Sequence, residues 1–414
     1  MDSGRSAAGH DLGALGSIRT ASGSPGAAGV LMIFLLAMSG PALSGFMNAP
    51  ASPLGSSIAR HFGGGENGAI VAQLALTLPG LGVIVGGPLA AWLLGRIGYR
   101  RIIVTSAALL SVAGAAGAVL EDVTLFLASR LVVGLTAAML YTVLISLCGR
   151  IYAGRTLARM LSYQNGASAA VGMILILASG WIAHQFGWRS GFLLYLVAAL
   201  YALLPLFVWL PEPARAERAS ARPRGSLRPL TGVLVLNVVA FIVVYLVTVQ
   251  GSLLLSANGV NDPSVQSLVI SASTLTFAVV ATGCAWIEAH WTGRYTFAAA
   301  LLLMGIGAAI LGAFPQVPAA VAGSLIIGAG SGLTSTYLFR AVVERASDDT
   351  RDRAVGLIGP THYLGQIANP ILIQTMKLVM GIQMAFVVVG AVLLACALIA
   401  VLQGQRRPNP AAAR

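Results

Sequence analysis

The chain has 414 residues, 57% of them hydrophobic and 9% charged, with a formal net charge of +12. Soluble domains carry about 25% charged residues, so this composition excludes an ordinary soluble globule and points to an all-helical membrane protein. The cations sit singly between apolar runs, and aromatic-plus-basic patches are absent, which argues against a nucleic-acid partner.

In chain order, residues 1–27, rich in Gly, Ala and Ser, read as a disordered tail. A helix needs about 20 apolar residues to cross the hydrocarbon core. Twelve such spans follow: 30–49, 70–94, 102–120, 125–149, 161–184, 190–210, 230–255, 265–288, 296–314, 317–343, 354–379 and 382–402. The first is longer than a signal-peptide core of about 7–15 residues and reads as a true span. Pro41, Pro79, Pro88, Pro205 and Pro370 fall inside spans, where neighbouring helices re-satisfy freed backbone groups. The polar stretch 211–229 divides the spans six and six and reads as a linker. This predicts one bundle over 28–210, a second over 230–403 and a short tail, 404–414.

Twelve spans place both termini on one side, and the basic residues say which, because Arg and Lys concentrate in cytoplasmic segments. With the N-terminus inside, 21 of the 25 cations fall on the cytoplasmic side, Arg60, Arg189 and Lys377 fall outside, and Arg130 lies within a span. The predicted location is therefore the inner (plasma) membrane, multi-pass, with cytoplasmic termini. The halves also echo each other. Gly134 and Gly328 are 194 residues apart, as are Thr156-x-x-Arg159 and Thr350-x-x-Arg353, while Gly98 and Gly293 are 195 apart. A near-constant offset suggests two parallel repeats.

Cys148, Cys284 and Cys396 lie far apart in hydrophobic runs and read as small buried hydrophobes. Neither metal-ligand spacing nor a G-x-x-x-x-G-K-[ST] loop occurs, so no metal, no cofactor and no direct ATP drive are expected. The thirteen acids all fall outside the deep parts of the spans. Proton-driven transporters commonly use an embedded carboxylate. Here a coupling proton would need His362, a rim acid such as Glu66, or the solute itself. An organic cation would lack a fixed counter-charge, which favours neutral, amphiphilic or anionic solutes.

The residues Ala91 to Arg101, with Arg96, Gly98 and Arg100 in register, resemble the turn signature G-x-L-a-D-R-x-G-R-R of the major facilitator superfamily. Gly95 stands where that signature has its acid, and Ala91 where it has its first glycine. Arg130 and Gly134 resemble the family's R-x-x-x-G, and "FGWRSGF" and "LPEP" resemble its wording around the sixth span. Leu175 and Ile176 occupy the place of the glycine-proline pair typical of its antiporters.

The resemblance implies twelve transmembrane helices in two six-helix pseudo-symmetric bundles around a central cavity. Spans 1, 4, 7 and 10 would line that cavity, and spans 3, 6, 9 and 12 would face lipid. Spans 9 and 12 are apolar all round, as a lipid-facing helix requires. The cavity candidates are Arg130, Tyr141, Asn237, Tyr245, Thr334, Tyr337, His362, Gln366 and Asn369. Arg130 has two readings: a contact to an anion or proton site, or a guanidinium snorkelling to headgroups. His362 titrates near neutral pH in its ordinary state, yet a neutral structural imidazole fits the sequence equally. Gln366 and Asn369 share its helix face. A cytoplasmic gate would comprise Gly95, Arg96, Gly98, Arg100, Arg101, Arg159 and Arg353.

The expected function is alternating-access secondary transport of a small organic solute, in the efflux direction, by a monomer using no cofactor. Its partners would be the solute, the lipid bilayer and, where coupled, protons. Facilitative or proton-coupled uptake of a metabolite is the alternative within the class. A non-transporting sensor or scaffold is the alternative outside it.

Overall fold

The computed structural model describes residues 45–152, 154–207, 210, 226–290, 293–347 and 350–405. Every regular element among them is helical. A 3-10 turn, Ser52–Leu54, leads into α1 (Gly55–His61), then α2 (Gly65–Ala115), α3 (Val123–Ile151) and α4 (Gly154–Phe186). A 3-10 stretch, Trp188–Leu196, runs into α5 (Val197–Phe207). After it come α6 (Thr231–Val244), α7 (Leu246–Ala257), α8 (Pro263–His290), α9 (Gly293–Ala313), α10 (Val317–Arg345) and α11 (Arg351–Gln405). Most of the first predicted span, and most of the linker, lie outside the described residues.

Eight helical stretches among the described residues are long and apolar enough to cross a membrane. Two exceed a single crossing. At 1.5 Å per residue the 51 residues of α2 extend about 76 Å and the 55 of α11 about 82 Å, against a hydrocarbon core of about 30 Å. Each is interrupted at one glycine outside helical space, Gly98 (φ 75°, ψ 170°) and Gly381 (φ 81°, ψ 161°). Side chains strain that backbone region and glycine does not, so α2 supplies the second and third predicted spans and α11 the eleventh and twelfth. The seventh predicted span is broken at Tyr245 (φ −83°, ψ 2°), between α6 and α7. Neither Gly nor Pro marks that break, which is why the sequence reads as one continuous helix there.

The chain forms two compact units. The first takes Leu78–Leu175 and Arg189–Arg222 together with the N-terminal residues to Pro50, and the second takes Ala51–Thr77, Ile176–Trp188 and Pro223–Arg414. Compactness therefore does not divide the chain at 211–229. Segments 51–77 and 176–188 join the C-terminal helices because they hydrogen-bond to them, as described below.

Within the first unit, Asp122 caps α3, accepting from the Leu125 N–H at 2.8 Å. Gly134 of α3 lies so close to α2 that an added Cβ would sit 1.9 Å from the Pro79 carbonyl oxygen. Within the second unit, a Cβ on Gly328 of α10 would sit 2.2 Å from the Ser273 carbonyl oxygen of α8. Pro79 and Ser273 are 194 residues apart, like the two glycines. The same offset relates Gly187 (φ 87°) to Gly381 (φ 81°), and Gly65 (φ 52°) to Gly259 (φ 84°). The two halves of the sequence thus repeat one helix-crossing point and one pair of turn glycines, which is the packing signature of an internal duplication.

Large apolar side chains remain exposed along the predicted lipid-facing spans, among them Val112, Leu200, Leu302 and Leu398. A surface of that kind is sustained by lipid, not by water.

Candidate functional site

A cavity of about 200 Å³ opens in the second unit among α6, α7, α8 and α10. Phe241, Tyr245 and Thr248 form one wall, Ser273, Thr274 and Phe277 a second, and Ile327, Gly328 and Ser331 a third. The Gly328–Ser273 approach pins α8 to α10 beside it, and the Thr276 hydroxyl donates to the Leu325 carbonyl at 2.8 Å. The hydroxyls of Ser273 and Ser331 donate to their own helices, to the Ile270 and Ile327 carbonyls at 2.8 and 2.7 Å. Their protons are thereby committed, which leaves the oxygens only as acceptors. Among the described residues, no charged side chain lines this space. It suits an uncharged solute with hydrogen-bond donors and an apolar body.

His362 stands behind one wall. Its ring stacks on Phe241, centroids 3.6 Å apart and planes 13° from parallel. Its Nε2 is buried and makes no hydrogen bond among the described residues. A buried ring nitrogen in that state is costly, and a hydrogen bond from a solute would relieve it.

Next to the cavity runs a line of buried amides. Gln73 Nε2 donates to Gln250 Oε1 at 3.0 Å, Gln250 Nε2 to Asn369 Oδ1 at 2.9 Å, and Asn369 Nδ2 to the Ile242 carbonyl at 2.7 Å. Gln366 Nε2 donates to the Leu76 carbonyl at 2.7 Å. Further along, Ser52 Oγ donates to the Thr248 carbonyl, Ser56 Oγ to Gln266 Oε1, and Arg60 Nη1 to Asn261 Oδ1. These bonds tie residues 52–77 to α7, α8 and α11. The seam is doubled like the fold: Ser56 and Gln250 are 194 residues apart, Gln73 and Gln266 193, so the two crossing pairs are mates.

At the same end, His184 and Asp262 pair at 3.0 Å. Burial pushes the Asp262 carboxyl up, but bonds from the Ser264 N–H and hydroxyl and from His184 together hold it below its ordinary value.

The predicted site residues separate into groups. Tyr245 lines the cavity and His362 backs it, while Gln366 and Asn369 belong to the amide seam. Asn237 instead joins α6 to α11, donating to Thr361 Oγ1 at 2.7 Å. Thr334 and Tyr337 turn to α9, the first onto Met304 Sδ at 3.2 Å and the second stacked on Phe297 at 4.8 Å. Tyr141 is part-exposed on α3 in the first unit.

Arg130, also in the first unit, is 1% exposed. Its Nη2 donates to the Ala113 and Gly114 carbonyls, both at 2.8 Å, and its Nε to Ser129 Oγ at 3.2 Å. Phe126, Phe192 and Tyr195 surround the guanidinium with centroids 5.4, 4.9 and 5.3 Å away. This box holds the end of α2 to α3 and α5's leading turn, and cation–π attraction replaces part of the lost hydration.

Of the proposed gate residues, Gly98 makes the turn and Arg96 lies over the Trp92 ring at 3.5 Å. A Cβ on Gly95 would meet open space. Arg100, Arg101 and Arg353 are exposed. The side chain of Arg159 lies outside the described residues.

The sequence pattern alone does not single out Gln73, Ser56, Gln266, Ser273 and Thr274. An amide inside an apolar run, as in "IVAQLAL", is the local signal that Gln73 offers.

The profile of the Major Facilitator Superfamily matches residues 26–260 and 233–414. Among solved structures, a D-xylose–proton symporter superposes with a TM-score of 0.72 at 16% identity, covering 90% of this chain and 97% of its own. A variant of the peptide transporter POT gives 0.72 at 15%, covering 96% and 98%. A variant of the nucleoside transporter NupG gives 0.66 at 13%, covering 90% and 98%. No curated protein matches the chain. With a family match over essentially its whole length, and helices of transmembrane length throughout, the chain belongs to the major facilitator superfamily.

Proposed function

We propose that this protein is a secondary transporter that moves a small, uncharged, amphiphilic solute outward by alternating access. The observation that supports this reading is the cavity beside Tyr245, whose described walls combine aromatic faces with hydroxyl acceptors and carry no charge. The two six-helix halves, 28–210 and 230–403, are the moving parts in this reading. The arginine-rich turn at 95–101 lies in the cytoplasm, by the bias of basic residues to that side, with both termini. The amide seam then lies at the external end and is the external gate in its closed state.

Neutral amides suit a gate that must open repeatedly. A typical buried hydrogen bond contributes about 0.5–1.5 kcal/mol net, because water takes over the same groups when the seam opens. On the cytoplasmic side, Arg96, Arg100, Arg101, Arg159 and Arg353 form the opposing gate, with Gly95 leaving it short of one acid. His362 is the coupling group in this reading, either bonding the solute or carrying a proton.

Transport into everted membrane vesicles, with and without a pH gradient, tests the proposal across neutral, anionic and cationic solutes. Accumulation of neutral amphiphiles is expected. Accumulation of a cationic dye alone overturns the charge assignment. Accumulation only in right-side-out vesicles replaces efflux with uptake.

A further inference from the structure

A second crevice, of about 180 Å³, lies in the second unit where α1, α7 and α11 come together. Its walls include Ser56, Arg60, Gly64, Ser256 and Lys377. Two of the three cations assigned to the external face by sequence therefore share one small space, and no carboxylate lines it among the described residues. Two like charges facing one cleft repel each other unless an anion stands between them.

The geometry of the two cations differs in a useful way. Arg60 is anchored, Nη1 donating to Asn261 Oδ1 at 2.8 Å and Nη2 to Ser57 Oγ at 3.0 Å. A guanidinium has five N–H donors, so three remain for a ligand. Lys377 is half-buried and makes no hydrogen bond or ion pair among the described residues, which leaves its ammonium donors open. One planar fork and one mobile point charge are a fitting donor pair for a tetrahedral or planar oxyanion, while the Ser56 and Ser256 hydroxyls beside them donate to Gln266 and Asn261. The acid nearest in sequence, Glu66, is exposed and does not line the crevice.

We propose that this crevice is an oxyanion site, binding a phosphate, sulfate or carboxylate group between Arg60 and Lys377. The bound anion bridges the end of α1 to α11 and stabilises the seam below it. The site does not depend on which solute is carried or in which direction.

The shared chemistry has two sources, a free anion and the phosphate of a lipid headgroup. The test is thermal unfolding of the purified, full-length protein. One arm titrates sodium sulfate against sodium chloride at constant ionic strength in phospholipid-free detergent. The other compares nanodiscs of phosphatidylglycerol with nanodiscs of an uncharged glycolipid. Wild type should gain about 2 °C or more in one arm. Lys377→Gln should lose that gain, and Lys377→Arg should keep most of it. Sulfate also stabilises proteins by exclusion, so the difference between wild type and Lys377→Gln is the quantity read. Lys377 has no described partner, so its removal leaves the fold intact and the comparison valid. A gain in the sulfate arm identifies a free oxyanion, and a gain in the lipid arm alone identifies a headgroup. Equal behaviour of wild type and Lys377→Gln in both arms overturns the proposal.

Discussion

Gln73 and Gln250 meet as two buried amides, the Nε2 of the first donating to the Oε1 of the second at 3.0 Å. Gln250 in turn donates to Asn369, so one side chain stands at the centre of the seam. Replacing it with leucine of similar size strands the Gln73 donor and the Asn369 acceptor together. Each stranded group costs about 1–3 kcal/mol while the seam is closed and little once water reaches it.

Gln250→Leu should therefore shift population from the closed seam to the open one. With a cysteine at Thr248 in a background lacking the native cysteines, an impermeant thiol reagent applied from outside reports the opening. Labelling should quicken by about tenfold, the factor that corresponds to 1.4 kcal/mol. An unchanged rate would mean that the amides are packing and not a latch.

The crossing glycines make a sharper structural prediction. Gly134→Ala places a methyl 1.9 Å from the Pro79 carbonyl oxygen, and Gly328→Ala places one 2.2 Å from that of Ser273. A backbone oxygen cannot rotate away, so both pairs of helices must separate. Overpacking of this kind costs about 1–3 kcal/mol, and both variants should elute as aggregated or thermally weakened protein in detergent. Gly95→Ala faces open space and should match wild type.

How much of this was legible in the sequence depends on the kind of signal. The spans that fall on described helices were legible because apolar length is set by the bilayer, and Gly98 was legible through the turn signature it resembles, while its positive φ shows only in the backbone. Gly134 and Gly328 showed only as an offset; their role needs the carbonyls of Pro79 and Ser273 beside them. The seam was half visible. Gln366 and Asn369 stood out by spacing, but their partners come from residues 76 and 250, and no local pattern pairs those. Arg130 was conspicuous for the wrong neighbours, since sequence shows a lone charge and hides three aromatic rings and two carbonyls.

Arg130→Lys measures what that box requires. An ammonium at the end of a flexible stem does not span the Ala113 and Gly114 carbonyls while also filling the space between Phe126, Phe192 and Tyr195. At least one buried carbonyl loses its partner, at about 1–3 kcal/mol. The expected result is a lowered Tm with solute affinity preserved in the protein that remains folded. A normal Tm with lost affinity would instead place Arg130 in solute recognition.

His362→Phe isolates the imidazole nitrogen from the ring. Phenylalanine keeps a flat aromatic surface against Phe241, where His362 now stacks at 3.6 Å, so packing and Tm should change little. What disappears is Nε2, the buried nitrogen without a hydrogen bond. If that nitrogen bonds the solute or takes up the coupling proton, transport should fall by tenfold or more while folding holds, since one hydrogen bond is worth about that factor. His362→Gln, which restores a donor and an acceptor on a side chain of similar reach, then distinguishes the two roles. Recovery of solute binding without recovery of pH-gradient-driven accumulation assigns His362 to the proton. Recovery of both assigns it to the solute. Full transport by His362→Phe would remove the imidazole from the mechanism and leave the hydroxyls of Ser273, Thr274 and Ser331 as the cavity's polar contacts.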